Sequence, residues 1–396
     1  MHLASDQRVT YFGQTNHRGA ARRFGIARGD RRHHVYAIGK TGTGKSTLLR
    51  TLIRQDLEAG EGLALLDPHG DLVEEAVCLI PPSRQSDVLY LNVPDRSCLW
   101  YFNPFSGVPE QERPLAAAGM VEVFHKLWPD DWGPRLEHLL RNVVFTLLEA
   151  PGSTFADIPR LLADRQFRRQ MLEHVGNRAI VEFWADEYDR YSPAFRAVVT
   201  APLLNKVGGF LADPLVSRIL TGERSSFDLR QVMDAGKVIL VNLCRGRIGE
   251  GPASLLGSLL VSHIALAGLS RADLPLERRR DFYLYLDEFQ TFATLTLATM
   301  LSELRKFRVS LTLAHQYLGQ LAPEIRDAVF GNVGTFIAFR VGALDAPTIA
   351  RELYPPFEPE DLVALPNFNI YLRLMAGGEV GRAFSARVSQ PEASTS

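Results

Sequence analysis

The sequence predicts an α/β protein, a mostly parallel twisted sheet flanked by helices and interrupted by an inserted all-α subdomain. Three observations predict it. Short apolar runs alternate with segments of helical period, as in a sheet wound with crossover helices. A glycine-rich pattern, Gly39-Lys-Thr-Gly-Thr-Gly-Lys45-Ser46, joins the first buried-strand signal to the first helical one. From about residue 110 to 222 the strand signals nearly stop and helical periods take over.

Residues 1–33 read as a polar, Arg-rich lead-in with little helical or strand period. Residues 34–38 (HVYAI) are a short apolar run ending at Gly39. Residues 46–57 (STLLRTLIRQDL) carry apolar side chains at 48, 49, 52, 53 and 57, a helical spacing. Strand signals follow at 62–66 (GLALL), which ends at Asp67-Pro-His-Gly-Asp71, and at 88–91 (VLYL). After Pro104 the rhythm changes. Residues 134–150 align Leu136, Leu139, Leu140, Val143, Val144, Leu147 and Leu148 on one helix face, and Trp132-Gly-Pro134 supplies a turn and an N-terminal proline. Strand signals return at 238–243 (VILVNL), 282–286 (FYLYL), 309–314 (VSLTLA), 335–341 (TFIAFRV) and 370–375 (IYLRLM). The expected division is a lead-in at 1–33, core segments at 34–107 and 225–388, an all-α insertion at 108–224, and a disordered tail at 389–396.

The length of 396 residues fits one large domain carrying an insertion, or two domains. The hydrophobic share of 46% and charged share of 22% are those of a soluble globular chain. The formal net charge is -1, from 44 basic and 45 acidic residues, which excludes a protein that coats nucleic acid by bulk charge. Any DNA contact has to come from a local patch or from patches repeated around a ring. The basic clusters are Arg22-Arg23, Arg31-Arg32 and Arg278-Arg-Arg280, each readable as solvated charge or, more sharply, as a phosphate contact. Cys78, Cys98 and Cys244 are too scattered for a zinc site or a disulfide framework, as in a reducing compartment. No signal peptide is evident, and no stretch reaches the roughly 20 apolar residues of a membrane span. Residues 255–269, the nearest candidate, read as a buried helix of the main domain.

Gly39 to Ser46 fits G-x-x-x-x-G-K-[ST], the phosphate loop of nucleoside triphosphatases. Gly39, Gly42 and Gly44 let the loop curl so that successive backbone amides, those of Thr41 and Thr43 included, face phosphate oxygens. Lys45 supplies a point charge for the β- and γ-phosphates, Ser46 a hydroxyl for Mg²⁺, and Thr47 a further phosphate contact. The complementary acids are expected at the end of a neighbouring strand, and 282–286 ends in Asp287-Glu288. Asp287 would hold Mg²⁺ through its water shell and Glu288 would take a proton from the attacking water. An Asp-Glu pair argues for a hydrolase that drives motion. Asn205-Lys206-Val207-Gly208 is not a guanine-reading NKxD, because glycine replaces its aspartate, and no LSGGQ transporter signature is present. Gln316, at the tip of 309–314, is a candidate γ-phosphate sensor.

On these residues the chain resembles the HerA/FtsK superfamily of DNA-pumping ATPases, most of all the motor domain of conjugative type IV secretion coupling proteins. The matching segments are 33–50, LLDPHGDL at 65–72, WGPRLEHLLRN at 132–142, 237–243, FYLYLDEFQTF at 282–292, LSELRKFRVSLTLAHQYLGQL at 301–321 and 331–342. The resemblance implies a RecA-like sheet, a homo-oligomeric ring usually of six subunits (a hexamer), ATP and Mg²⁺ at each subunit boundary, and DNA in a central channel. It assigns Lys45, Ser46, Asp287, Glu288 and Gln316 the roles given above. It also makes Arg305 the arginine offered to a neighbour's ATP, with Lys306 as its rival. Membrane-bound members carry transmembrane helices ahead of the motor, and this sequence shows none. The expectation is therefore an ATP-driven DNA translocase, cytoplasmic or peripheral at the inner membrane through a membrane-embedded secretion partner, working with a relaxase. The alternatives are a DNA end-processing translocase partnered by a nuclease, and a nucleotide-controlled docking protein, which the near-neutral charge favours.

Overall fold

Eleven strands form one sheet in the order β2-β1-β13-β10-β9-β3-β8-β7-β4-β6-β5. The structure is a computed structural model describing residues 7–16, 21–97 and 99–389. Cys98 and residues 390–396 of the expected disordered tail lie outside the described residues. The strands are β1 (Val9–Thr15), β2 (Arg23–Ala27), β3 (Val35–Ile38), β4 (Gly62–Asp67), β5 (Val88–Asn92), β6 (Val238–Asn242), β7 (Phe282–Leu286), β8 (Val309–His315), β9 (Thr335–Ala338), β10 (Asn369–Arg373) and β13 (Phe384–Val388). A separate hairpin pairs β11 (Met375–Ala376) with β12 (Glu379–Val380).

From β9 through β5 every pairing is parallel, and the remaining strands join by antiparallel pairings at one end. β3, β4, β6, β7, β8 and β9 are buried at every position. That is why they read as unbroken apolar runs and not as alternating ones, since helices cover both faces of a parallel sheet.

The chain divides into two compact units. The first comprises residues 1–92, 230–244 and 271–396 and holds the whole sheet. The second comprises 93–229 and 245–270 and has only helical elements among the described residues. Its helix Pro134–Glu149 buries Leu136, Leu139, Leu140, Val143, Val144, Leu147 and Leu148.

Three expectations are corrected. The lead-in is not structureless, because β1 and β2 form there. Their period is hidden by a bulge between Tyr11 and Gly13 that breaks the alternation. The helical unit is also wider than 108–224. Residues 101–103 bond to Ile219, Ser225 and Ser226, and Asn103 Nδ2 donates to the Ser153 and Glu223 carbonyls. The helix Glu250–Leu269, expected in the main domain, packs with Arg113–Leu127 of the helical unit, and His263 Nε2 lies 2.8 Å from the Pro104 carbonyl. Among the described residues, the segment Glu250–Asp273 alone is long and apolar enough to cross a membrane, and 78% of its most apolar window is buried inside the protein.

The third correction concerns Arg31-Arg32, which is not solvated charge. Arg31 is 1% exposed, forks onto Asp56 at 2.5 and 2.9 Å, bonds the Tyr285 hydroxyl at 2.7 Å and lies 3.8 Å from the Tyr283 ring centroid. Arg32 forks onto Asp281 at 2.7 and 2.9 Å. Arg279 and Arg280 likewise bond backbone carbonyls. Arg23 lies over the Tyr11 ring. Arg31 and Arg32 thereby tie the lead-in to Asp56, to Tyr285 of β7 and to Asp281 just before it.

His34 completes that edge. It adopts φ 65°, donates from Nε2 to the Leu301 carbonyl at 2.8 Å and accepts the Leu311 amide on Nδ1 at 3.0 Å. This is a neutral tautomer with both nitrogens used, and burial pushes its pKa down to about 4. The sign follows from linkage: the unfolded imidazole protonates near 6.5 while the folded one resists. Stability is full above about pH 6.5 and is lost as pH falls toward 4, by about 2–3 kcal/mol at pH 4.5 from this group. Denaturant titrations across that range should show the loss, and His34→Asn, which tolerates the same backbone, should reduce it, the buried His263 and His315 supplying the remainder. An identical pH dependence in the variant would remove His34 as the cause.

Candidate active site

The glycine-rich loop leaves the carboxyl end of β3. Its start is stitched to both neighbouring strands: the Gly39 amide donates to the His315 carbonyl at 3.2 Å, the Lys40 amide to that of Arg340 at 2.8 Å, and the Phe339 amide to that of Ile38 at 2.8 Å. Gly39 is required sterically, since a Cβ there would sit 2.5 Å from the Phe339 Cβ. Gly44 is required conformationally, at φ 122°. Thr43 Oγ1 closes the loop on the Lys40 carbonyl at 2.7 Å, and the Thr43 carbonyl accepts the Phe368 amide at 2.7 Å. Thr41 and Gly42 are exposed at the tip.

The helix Lys45–Glu58 follows directly, with its first-turn amides facing the loop. Ser46 is exposed and Thr47 half-buried on that turn. Lys45 is 6% exposed, and its Nζ donates to the Gly39 carbonyl at 2.5 Å and to that of Lys40 at 3.2 Å. Burial lowers its pKa, while Glu288 and Asp287 oppose that shift. The lysine and the acids therefore share one buried electrostatic environment.

The acidic strand is not the immediate neighbour of β3, as the sequence suggested, because β8 lies between β3 and β7. Two strand spacings of about 4.8 Å separate them. The register closes the site nonetheless: Ile38 pairs with His315 and Leu286 with Leu313, so the loop, Gln316 and Asp287-Glu288 emerge together. Asp287 is 7% exposed and its carboxyl is pushed up to about 7, by burial first and then by Asp67 and Glu288, with Lys45 opposing. Glu288, 5% exposed, adopts φ 46° and accepts Gln316 Nε2 on Oε1 at 2.7 Å and Gln290 Nε2 on Oε2 at 2.6 Å.

Two residues here carried no role in the sequence reading. Asp67, fully buried at the end of β4, accepts the amides of His69, Leu72 and Val73 at 2.7, 2.8 and 3.3 Å and so caps the helix Asp71–Cys78. Gln290 follows Glu288 by two positions. Both lay inside quoted motifs, but a carboxylate on backbone amides and an amide on a carboxylate are contacts that spacing does not reveal.

Arg305 stands apart from this cluster. It opens the turn Arg305–Phe307 that leads into β8, and its guanidinium donates to His33 Nδ1 at 3.0 Å on the exposed surface. β8 is seven residues long, so its start and its end at Gln316 lie roughly 20 Å apart. Lys306 turns onto Glu303 at 2.8 and 3.0 Å. Within one chain, neither reaches the lysine and acids.

A family model described as the type IV secretion-system coupling protein DNA-binding domain matches residues 24–341. No curated protein matches the sequence. Among solved structures, the bacterial conjugative coupling protein TrwBdeltaN70, unbound monoclinic form, is 17% identical over 98% of this chain and 91% of that chain, with TM-score 0.65. TrwB in complex with ADP and Mg²⁺ is 18% identical over 98% of this chain and 92% of that chain, again with TM-score 0.65. VirB4 of Thermoanaerobacter pseudethanolicus is 13% identical over 98% of both chains, with TM-score 0.64. At these identities the structures establish a common fold, the RecA-like one. The family model covers most of the sequence, and the chain belongs to the type IV secretion-system coupling protein DNA-binding domain family.

Proposed function

We propose that this protein is an ATP-driven DNA translocase that works as a homo-oligomeric ring, a hexamer, with a nucleotide at each subunit boundary. The observation that carries the reading is the split constellation. Lys45, Asp287, Glu288 and Gln316 converge at the carboxyl ends of three strands, while Arg305 is displayed at the opposite rim, away from its own chain's cluster. The TrwB complex with ADP and Mg²⁺ supports ATP and Mg²⁺ as the nucleotide and ion.

In this mechanism the loop amides from Gly39 to Ser46 and the helix N-terminus grip the phosphates, with Lys45 on the β- and γ-oxygens. Ser46 and the buried Asp287 are the oxygen donors suited to Mg²⁺, which supplies charge neutralisation on the phosphates. Glu288 orients the attacking water and takes its proton. Gln316, on the strand between the loop and the acids, reports the γ-phosphate to Glu288. Arg305 of one subunit enters its neighbour's site and stabilises charge on the transferring group. Neutral His33 accepts from the Arg305 guanidinium and holds it pointed outward. DNA binding follows from family membership. The near-neutral charge assigns it to a few basic residues per subunit repeated by symmetry. A membrane-embedded secretion partner and a relaxase complete the system, with the motor peripheral at the inner membrane on its cytoplasmic side.

Lys45→Ala should lose nucleotide binding, whereas Glu288→Gln should bind ATP with turnover reduced on the order of 10²–10⁴-fold. Equilibrium binding of a fluorescent ATP analogue and steady-state hydrolysis separate the two, and wild-type turnover by Glu288→Gln would discard the base assignment. Arg305→Ala should cost on the order of 10³-fold in turnover. Mixing it with Lys45→Ala protein should restore part of the rate, since some interfaces then pair an intact finger with an intact loop. Equal inactivity of the mixture and its components would argue against action between subunits. DNA should stimulate hydrolysis at low salt, with the logarithm of its apparent affinity falling linearly in log salt. A rate indifferent to DNA at low salt contradicts the translocase reading.

A further inference from the structure

Glu288 is held more firmly than a carboxylate at a strand end needs to be. Its backbone lies in the left-handed region at φ 46° and ψ 54°, uncommon for a residue with a long side chain. Its amide donates to Asp287 Oδ1 at 3.1 Å and its carbonyl accepts the Thr291 amide at 2.8 Å. Its two carboxylate oxygens are bonded separately, Oε1 by Gln316 and Oε2 by Gln290, at 2.7 and 2.6 Å. Both donors are side-chain amides, but they belong to different structural neighbourhoods. Gln316 follows β8, whose last residue accepts the Gly39 amide of the phosphate loop. Gln290 sits on the short turn Phe289–Thr291 that carries the chain away from β7.

We infer that Gln290 is a positioning residue that tethers Oε2 of Glu288, so that Oε1 is the oxygen presented to the attacking water when Gln316 engages the nucleotide. The inference rests on the reading of Glu288 as the general base. Its physical basis is the softness of the terminal carboxylate torsion, which is broad and roughly two-fold. With Gln316 as the only partner, Gln316's departure to a phosphate would free the carboxylate to rotate at the moment its direction matters. A second donor, on the turn Phe289–Thr291 that follows β7, keeps one oxygen fixed while the other is released. Orientation of this kind contributes to the chemical step and not to the affinity for ATP.

The test uses the full chain and Gln290→Met, which keeps the length of the side chain and removes its donor. The expected result is a kcat lowered about tenfold or more, with KM for ATP and the Kd of a fluorescent ATP analogue both within about twofold of wild type. Gln290→Glu, equal in length but set against a like charge, should fall at least as far. Wild-type kcat in either variant overturns the tether. So does a joint loss of kcat and nucleotide affinity, which would mark Gln290 as a purely structural contact. Glu288→Gln serves as the reference. If it hydrolyses ATP at the wild-type rate, the general-base reading has failed and the tether with it. If it is inactive while Gln290→Met is not, the tether alone has failed.

Discussion

The site depends on the parallel registration of β3, β8 and β7. β8 lies between the strand that launches the phosphate loop and the strand that ends in two acids, paired to both without a slip. That arrangement sets the loop, an amide and a carboxylate pair along one rim of the sheet. A one-residue shift in β8 would turn each of its side chains to the other face and carry Gln316 away from Glu288. The strand's unbroken burial guards against such a shift, because every position is already committed to the core.

The same strand sets the polarity of the molecule. Its far end begins beside Arg305 and His33, and its near end closes on the acids. The buried lysine and acids at the carboxyl rim and a displayed guanidinium at the amino rim thus lie at the two ends of one rigid element. The amino rim is reinforced by buried polar pairs: Arg31 with Asp56 and Tyr285, Arg32 with Asp281, and His34 between the Leu301 carbonyl and the Leu311 amide. Such pairs add little net stability over apolar packing, yet removing one partner strands the other charge in the interior. Their contribution here is to fix the lead-in and the approaches to β7 and β8 in one arrangement.

At the carboxyl rim the electrostatics are deliberately unbalanced. Asp287, Glu288 and Asp67 crowd together where water is scarce, and Lys45 is the basic residue that offsets Asp287. The left-handed backbone of Glu288 adds local strain at the same point. Both costs are tolerated because the surrounding sheet is buried on both faces and holds its registration, whatever the local chemistry prefers.

Much of this was legible in the sequence, for identifiable reasons. The glycine-rich loop, its strand and its helix were readable because their pattern is local: Gly39, Gly44, Lys45 and Ser46 lie within a few residues of one another. The parallel strands were readable because burial on both faces writes them as continuous apolar runs. The strands β1 and β2 at one end of the sheet were not, since a bulge at Phe12 breaks their period, and neither was the burial of Arg31, whose partner Asp56 lies a helix away. The membership of Glu250–Leu269 in the helical unit also escaped, because an apolar helix does not state which core it joins. Strand order was decided only by the tertiary structure. It placed β8 between the loop and the acids, brought Gln290 and Gln316 onto the two oxygens of Glu288, and set Arg305 on the opposite rim. Sequence spacing records which groups a chain carries, whereas the pairing of strands distant in sequence settles which of those groups share a few ångströms of low-dielectric space.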